Sequence, residues 1–102
     1  MEDHLKQMVE EINSGKAQLF DVREQDEWDE GHLKISRLIP LSSLMEGTEP
    51  SDVNKEKVTY LHCRSGNRVH TAGPILQDMG FSNIVPLNEG FDELVDEGLE
   101  RG

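Results

Sequence analysis

The 102-residue sequence contains a single cysteine, Cys63, so no disulfide can form within the chain. Without a disulfide framework, the main sequence argument for a secreted protein is missing. No apolar run approaches the roughly 20 residues that a membrane-spanning helix needs. The first residues, Met1 to His4, also lack the basic and apolar pattern of a signal peptide. We therefore expect a cytoplasmic protein with one domain over residues 1–102.

Basic residues are scarce, with 10 lysines and arginines against 21 acidic residues and a formal net charge of −11. Nucleic acids and anionic membranes are recognised by clustered cations, so neither is expected as a partner. The acidic residues are concentrated in 24–30, 46–56 and 89–100, which we interpret as solvated faces. The alternative is that this charge selects a basic protein partner. On an acidic body, Arg64 and Arg68 form a local positive region suited to a small anion.

Strand-like and helix-like segments alternate along the chain, with no internal repeat and no linker. Apolar residues at helical spacing from Leu5 to Ile12 predict a first helix, which Asn13-Ser14-Gly15 ends. The other expected elements are strands at 17–22, 37–41, 58–61 and 83–87, helices at 24–31, 68–79 and from residue 91 onward, and one or two helical turns within 42–54. This alternation predicts an α/β domain with a mainly parallel sheet.

Several positions within these elements carry more specific expectations. Pro40 limits the second strand to a short or edge role. Pro74 lies within the segment 68–79, where proline removes a backbone hydrogen bond, so we expect a kink or a later helix start. Trp28 is expected to turn inward from its short acidic helix. Three methionines are also expected in the core: Met8, Met45 and Met79.

Cys63 stands between the buried strand 58–61 and a loop of small and cationic residues that leads into a helix. Backbone N–H groups and the positive end of the helix dipole face a thiol in that position, and Arg64 and Arg68 add two cations. Each of these features lowers the pKa of a thiol, and the thiolate is the nucleophilic form. The alternative is an inert core cysteine, but the five residues after Cys63 include no aliphatic side chain. We interpret Cys63 as a nucleophile.

A second polar segment is expected at the same edge of the sheet. Ligands bind outside the carboxyl ends of strands in open parallel sheets. The Cys63 loop follows one such end, and Asp21-Val22-Arg23 follows another. The predicted organisation and the predicted chemistry therefore point to one place in the fold.

The length of the loop separates two kinds of chemistry. His62-Cys63 followed by an arginine is similar to the loop of cysteine phosphatases, which have five intervening residues, whereas four separate Cys63 from Arg68 here. A tighter ring of N–H groups suits something smaller than phosphate, such as one further sulfur atom, and this favours sulfur transfer. A cysteine phosphatase or arsenate reductase remains an alternative. So does a binding or redox-sensing module without turnover.

Several ordered motifs, taken together, resemble those of a known family. They are Asp21-Val22-Arg23, Glu27-Trp28-Asp29-Glu30-Gly31-His32-Leu33, Ile39-Pro40-Leu41, Cys63-Arg64-Ser65-Gly66-Asn67-Arg68, Met79-Gly80-Phe81 and Leu87-Asn88-Glu89-Gly90-Phe91. From about His4 to Gly98 the chain resembles a single-domain rhodanese, a sulfurtransferase. The resemblance implies a doubly wound α/β fold with helices on both faces of the sheet, and a domain core at about 4–98. It also implies that Cys63 carries a persulfide.

The resemblance also suggests roles for further residues. The sulfur would pass from a donor such as thiosulfate to a thiol or cyanide acceptor, with a sulfur-relay protein as a possible partner. No cofactor and no metal are implied. The expected substrate- or persulfide-binding residues are Arg64, Ser65, Gly66, Asn67 and Arg68. The expected supporting residues are Asp21 and Arg23, as scaffold partners, and His32, as a hydrogen-bonded packing residue.

The two loop arginines are not equivalent in this interpretation. Arg64 is the better candidate for meeting an anionic donor, whereas Arg68 either binds substrate or braces the loop. His62 follows the strand alternation away from Cys63 and is expected in the core. His4 and His70 are expected at the surface.

The sequence departs from the family pattern at three places. Lys34-Ile35-Ser36 replaces the usual Pro-Gly-Ala, Val69 replaces a hydroxyl residue after the loop, and Glu89-Gly90 replaces a doubled glycine. None of these departures changes the nucleophile.

Overall fold

The computed structural model describes all 102 residues, in which five helices alternate with four strands. In chain order the elements are α1 (Asp3–Asn13), β1 (Ala17–Asp21), α2 (Gln25–Glu30), β2 (Ser36–Leu38), α3 (Leu41–Met45), β3 (Val58–His62), α4 (Val69–Asp78), β4 (Ile84–Pro86) and α5 (Phe91–Asp96). The strands form one sheet in the order β2-β1-β3-β4, and every pairing is parallel. The predicted α/β class with a parallel sheet is confirmed.

Helices cover both faces of this sheet, so the doubly wound arrangement is also confirmed. Alternate residues of a strand point to opposite faces, and the buried side chains accordingly divide into two clusters. On one face, Leu19 and Tyr60 of the central strands pack with residues of α1 and α5. On the other, Phe20 and Leu61 pack with residues of α3 and α4. None of the five helices combines the length and apolar character needed to cross a lipid bilayer.

Of the four prolines, Pro40 lies immediately before a helix and Pro74 lies inside one. β2 is a three-residue edge strand, and Pro40 immediately precedes α3. This is shorter than the expected 37–41, because proline cannot donate a backbone hydrogen bond to a sheet. The helix after the Cys63 loop begins at Val69, one residue later than expected, and Pro74 lies inside it.

One expectation about the core, that of Met45, was wrong, and Trp28 turns inward only in part. Met45 is 67% exposed at the end of α3, because that helix is only five residues long and buries a single side chain, Leu44. Trp28 is only half-buried, since no residue of α2 reaches the core. Its ring instead lies flat on that of His32, with the centroids 3.8 Å apart.

Candidate active site

The carboxyl ends of β1 and β3 bring together the two polar segments singled out in the sequence. Asp21 and His62 are paired in the parallel register, and the backbone N–H of Val22 donates to the carbonyl of His62 at 3.0 Å. Arg23 and the loop that starts at Cys63 therefore leave the sheet side by side. This is the position at which parallel sheets bind their ligands.

Cys63 lies at the base of its loop, with 1% of its surface exposed. The backbone N–H of Gly66 donates to its Sγ at 3.2 Å. Gly66 has a φ of +85°, which L-residues rarely adopt, and a side chain there would place its Cβ 2.6 Å from the carbonyl oxygen of Asn88. Glycine at this position therefore allows the loop to turn an amide toward the sulfur.

The rim of the loop is exposed and cationic. Arg64, Ser65 and Asn67 all face solvent. The side chain of Arg64 is 63% exposed, and its Nη1 lies 3.6 Å from Oε2 of Glu27, beyond hydrogen-bond range. Arg64 is thus a cation that an incoming anion can reach.

Arg68 has a different environment, because its guanidinium binds both carboxylate oxygens of Glu27, at 2.6 and 2.8 Å. These bonds lower the pKa of Glu27 from 4.5 to about 2. The pKa of Arg68 is raised, first by the same hydrogen bonds and also by attraction to Glu27, to Cys63 and to Glu24. The two-point contact ties the end of the loop to α2, and it occupies one donor on each terminal nitrogen of Arg68.

Asp21 and Arg23 form a buried ion pair beside the loop. Both side chains are almost completely inaccessible, and Nη2 of Arg23 lies 2.8 Å from Oδ2 of Asp21. Arg23 also donates to the carbonyl of Gly31 at 2.8 Å, and its guanidinium lies 4.3 Å from the centre of the Phe91 ring. Through these contacts, Arg23 connects β1, the segment after α2, and α5.

The two histidines near the site lie in packing positions. The Nδ1 of His32 is 3.1 Å from the carbonyl oxygen of Trp28, and the His32 ring also stacks on the indole ring of Trp28. His62 is fully buried on the face of the sheet opposite Cys63, as strand alternation predicts. Burial lowers the pKa of His62, and attraction to Asp21 opposes that shift. His4 and His70 are exposed, as expected.

Three residues important to the site geometry had no role assigned from the sequence: Glu27, Gly90 and Arg101. A Cβ on Gly90 would overlap the carbonyl oxygen of Arg64, so the segment before α5 packs directly on the loop. The backbone N–H of Phe91 donates to the carbonyl of Cys63 at 3.0 Å. In the sequence, Glu27 and Gly90 were indicated only by their positions in family-like motifs. Nothing in the sequence indicated Arg101.

A cleft of about 170 Å³ lies beside the loop. Its lining includes the three arginines Arg23, Arg64 and Arg101, together with Glu27 and the ring of Phe91. A cleft with several guanidinium groups next to a cysteine loop can accept a small anionic reactant.

A further group of charged residues lies where the amino-terminal segment meets Glu89, just before α5. Glu2, His4 and Glu89 bring one potential metal-ligand atom each to within 4.8 Å of one another. His4 Nε2 lies 2.6 Å from a carboxylate oxygen of Glu89, which makes this an ion pair when the histidine is protonated.

Comparison with known proteins places this geometry in context. Residues 4–97 match the family model described as the Rhodanese-like domain. The chain is 38% identical over 84 residues to the Bacillus subtilis uncharacterized protein YqhL, covering 80% of this chain and 65% of that protein. It is 31% identical over 74 residues to thiosulfate sulfurtransferase GlpE of Coxiella burnetii, covering 72% of this chain and 67% of the relative.

Longer and structurally characterised proteins are also similar. The probable adenylyltransferase/sulfurtransferase MoeZ of Mycobacterium tuberculosis is 34% identical over 80 residues, and the matched part is only 20% of its length. The crystal structure of a rhodanese-related protein from Thermoplasma volcanium superposes with a TM-score of 0.74 at 29% identity, covering 93% of this chain and 90% of that one. With the parallel sheet and the cysteine loop already in place, these matches show that the chain belongs to the rhodanese-like domain family.

Proposed function

We propose that the protein is a sulfurtransferase that carries a sulfur atom as a persulfide on Cys63. The observation that carries this proposal is the setting of the Cys63 sulfur, which accepts a backbone N–H at the base of a loop rimmed by arginine. Relatives that are named sulfurtransferases support it. A sulfur anion held by preorganised amides is what the intermediate of such a reaction requires.

In the first half-reaction, the Cys63 thiolate attacks the outer sulfur of thiosulfate. A new S–S bond forms on Cys63 while the S–S bond of thiosulfate breaks, and sulfite leaves with the electron pair. In the second half-reaction, an acceptor such as cyanide attacks the terminal sulfur, so that thiocyanate leaves and the thiolate is regenerated. Two successive group transfers through one covalent intermediate give ping-pong kinetics.

The loop amides are the groups proposed to stabilise the intermediate. The outer sulfur of a persulfide lies about 2.0 Å beyond Sγ, toward the N–H groups that follow Cys63. By analogy with an oxyanion hole, one such donor contributes about 3 kcal/mol to the stability of the charged species. Arg64 attracts the anionic donor, Ser65 and Asn67 form the remaining rim, and Arg68 braces the loop through Glu27.

The burial of Cys63 fits a small donor better than a bulky one. With 1% of its surface exposed, Cys63 leaves little room for a bulky reactant to approach. The same burial protects a persulfide from water and oxidants. Thiosulfate, a low-molecular-weight persulfide or an extended segment of a sulfur-relay protein would meet this restriction, and we propose thiosulfate as the donor to test first.

Phosphoryl chemistry is disfavoured by the contacts of Arg68. Two of the five guanidinium donors of Arg68 are held by Glu27, which leaves fewer of them to face a transferring phosphate. The shorter loop, with four residues between Cys63 and Arg68, points in the same direction. A binding or redox-sensing module without turnover would have the same fold, so an activity assay is what distinguishes it from an enzyme.

Intact-mass analysis after incubation with thiosulfate tests the proposal. The wild-type protein should gain about 32 Da, the mass of one sulfur atom, through persulfidation, and cyanide should remove this mass with release of thiocyanate. Cys63→Ser should show neither effect, and sulfate in place of thiosulfate should leave the wild-type mass unchanged. Turnover of p-nitrophenyl phosphate would indicate a phosphatase instead. Absence of both reactions would leave a binding or redox-sensing module and overturn the proposal.

A further inference from the structure

One side of the cleft beside the Cys63 loop is formed in part by Arg101. Arg101 pairs with Leu33 through an isolated antiparallel bridge. On either side of it, the N–H of Lys34 donates to the carbonyl of Glu100 at 2.9 Å, and the N–H of Gly102 donates to the carbonyl of His32 at 2.8 Å. These backbone bonds fix the position of Arg101 relative to the segment that follows α2.

The side chain of Arg101 fits a space that its neighbours leave for it. A Cβ on Gly31 would overlap the guanidinium of Arg101, so the absence of a side chain there lets this group lie against the backbone. The same guanidinium lies 5.5 Å from the centre of the Phe91 ring and donates to the carbonyl of Glu30 at 3.4 Å. The Arg101 guanidinium thus faces the cleft.

The three arginines of the cleft differ in their charge partners. Arg23 is bound by Asp21. Arg64 lies 3.6 Å from a carboxylate that Arg68 already occupies. Arg101 forms no salt bridge, and its one hydrogen bond, to a neutral carbonyl, is long. Arg101 and Arg64 are therefore the two guanidinium groups of the cleft that have no hydrogen-bonded carboxylate.

We propose that Arg101 and Arg64 form a subsite for the anionic group of the sulfur donor, which is the sulfonate end of thiosulfate or the carboxylate of a small organic persulfide. Guanidinium groups bind both kinds of oxyanion through paired N–H donors. The inference rests on the proposed sulfurtransferase function and adds to it a positioning residue, Arg101. That residue lies 38 positions beyond the nucleophile and outside the loop.

Carboxylates also line the cleft, and they shape the expected affinity. Glu30 and Asp92 face the same space, so the cleft as a whole has no strong positive field. Binding then depends on direct contact between the ligand and the two guanidinium groups. Loss of one of them should weaken binding several-fold, whereas the loss of a distant positive charge should not.

Thiosulfate binding to the Cys63→Ser protein measures the subsite without turnover. We would titrate sodium thiosulfate at constant ionic strength and follow by NMR the Phe91 amide signal in every variant, together with the Arg101 Nε–H signal in the proteins that retain Arg101. Adding Arg101→Gln should raise the dissociation constant at least fivefold, and Arg101→Lys should recover part of the loss. Lys16→Gln removes the same charge from an exposed position and should leave the constant unchanged. In the enzyme with Cys63 intact, Arg101→Gln should raise KM for thiosulfate much more than it lowers kcat.

The outcomes separate this inference from the function on which it rests. Equal dissociation constants for Arg101→Gln and Lys16→Gln, or signals that shift away from Arg101, would overturn the subsite even if the wild-type protein gains sulfur. Conversely, a wild-type protein that gains no sulfur but binds thiosulfate through Arg101 would retain the subsite and refute the proposed function. Replacing thiosulfate with 3-mercaptopropionate distinguishes a carboxylate from a sulfonate as the better ligand.

Discussion

Arg68 and Glu27 are joined by two hydrogen bonds, of 2.6 and 2.8 Å, across 41 residues of sequence. The pair connects the last residue of the cysteine loop with the middle of α2. The side chain of Glu27 is only 14% exposed, which shields the contact from solvent. A contact of this kind holds the loop in one conformation before any reactant arrives, which reduces the cost of ordering it during the reaction.

Acidification should weaken the fold through Glu27. Its pKa is about 2 in the folded protein against an ordinary value of 4.5, so its stabilising contribution is complete above about pH 4.5 and is lost as the pH falls toward 2. The expected loss is of the order of 2 kcal/mol of unfolding free energy. Urea denaturation of the wild type and of Glu27→Gln between pH 2.5 and 7 measures it.

Glu27→Gln is predicted to be less stable than the wild type at neutral pH, and its unfolding free energy should depend less on pH between 2.5 and 7. Glu46→Gln, at an exposed position, serves as the control for the change in net charge. If Glu27→Gln and Glu46→Gln gave the same pH profile, the pair would not stabilise the folded protein. Sulfur loading by Glu27→Gln should also be slower, because Arg68 loses its anchor.

Gly90→Ala should distort the cysteine loop, although Gly90 lies outside that loop in the sequence. The added methyl group would overlap the carbonyl oxygen of Arg64, so either the loop or the start of α5 must move. We expect a loss of about 1–3 kcal/mol of stability, typical of overpacking, and at least a tenfold slower gain of sulfur. Chemical denaturation and intact-mass kinetics measure the two effects.

Gly73→Ala is a matched control for that substitution. Gly73 is also buried, but its Cβ would lie 3.6 Å from Cγ2 of Ile84, an ordinary van der Waals distance, and the residue is helical. Alanine should therefore be neutral or stabilising by up to about 1 kcal/mol. Similar damage from both variants would show that the packing of Gly90 on the loop has no special importance.

Local patterns predicted the fold well because they act through neighbouring residues. The alternation of strand-like and helix-like segments is sufficient for a parallel α/β sheet, and Pro40 correctly indicated a short edge strand. The setting of Cys63 between a strand and a helix was equally local. These features depend on backbone conformation and periodicity, which a few adjacent residues determine.

Features that depend on distant contacts were not predictable in the same way. Nothing near Glu27 in sequence indicates that it faces Arg68, and nothing near Arg101 indicates that it reaches the cleft. Met45 was wrongly expected in the core because its apolar side chain says nothing about the length of α3. Such contacts follow from the assembled fold.

Asp21→Asn should destabilise the protein strongly, because it leaves the guanidinium of Arg23 buried without a counter-ion. Both side chains are nearly inaccessible, and breaking a buried pair from one side typically costs about 3–5 kcal/mol. Replacing both residues, as Asp21→Asn with Arg23→Met, should cost less than the sum of the two single substitutions. Urea denaturation of the four proteins completes the cycle.

The same proteins test whether Asp21 and Arg23 are scaffold residues. In that interpretation the fraction of Asp21→Asn that remains folded still gains one sulfur from thiosulfate. A folded Asp21→Asn protein that gains none would assign Asp21 to the reaction itself and contradict the scaffold interpretation.

His62 should make stability fall with acid at a higher pH than Glu27 does. Its ring is fully buried, its Nε2 has no hydrogen-bond partner, and Asp21 Oδ2 lies 3.6 Å away. Burial lowers its pKa below 6.5, so the unfolded chain takes up a proton first and stability declines as the pH falls from about 6.5. The slope from one such group is at most about 1.4 kcal/mol per pH unit.

His62→Asn should remove this slope, while the exposed His70→Gln should retain it. Equal slopes for the two variants between pH 6.5 and 5.5 would mean that His62 titrates in the folded protein as it does in the unfolded chain. Because the ring lies on the face of the sheet opposite Cys63, the pH dependence of sulfur loading should be the same in folded His62→Asn and wild type.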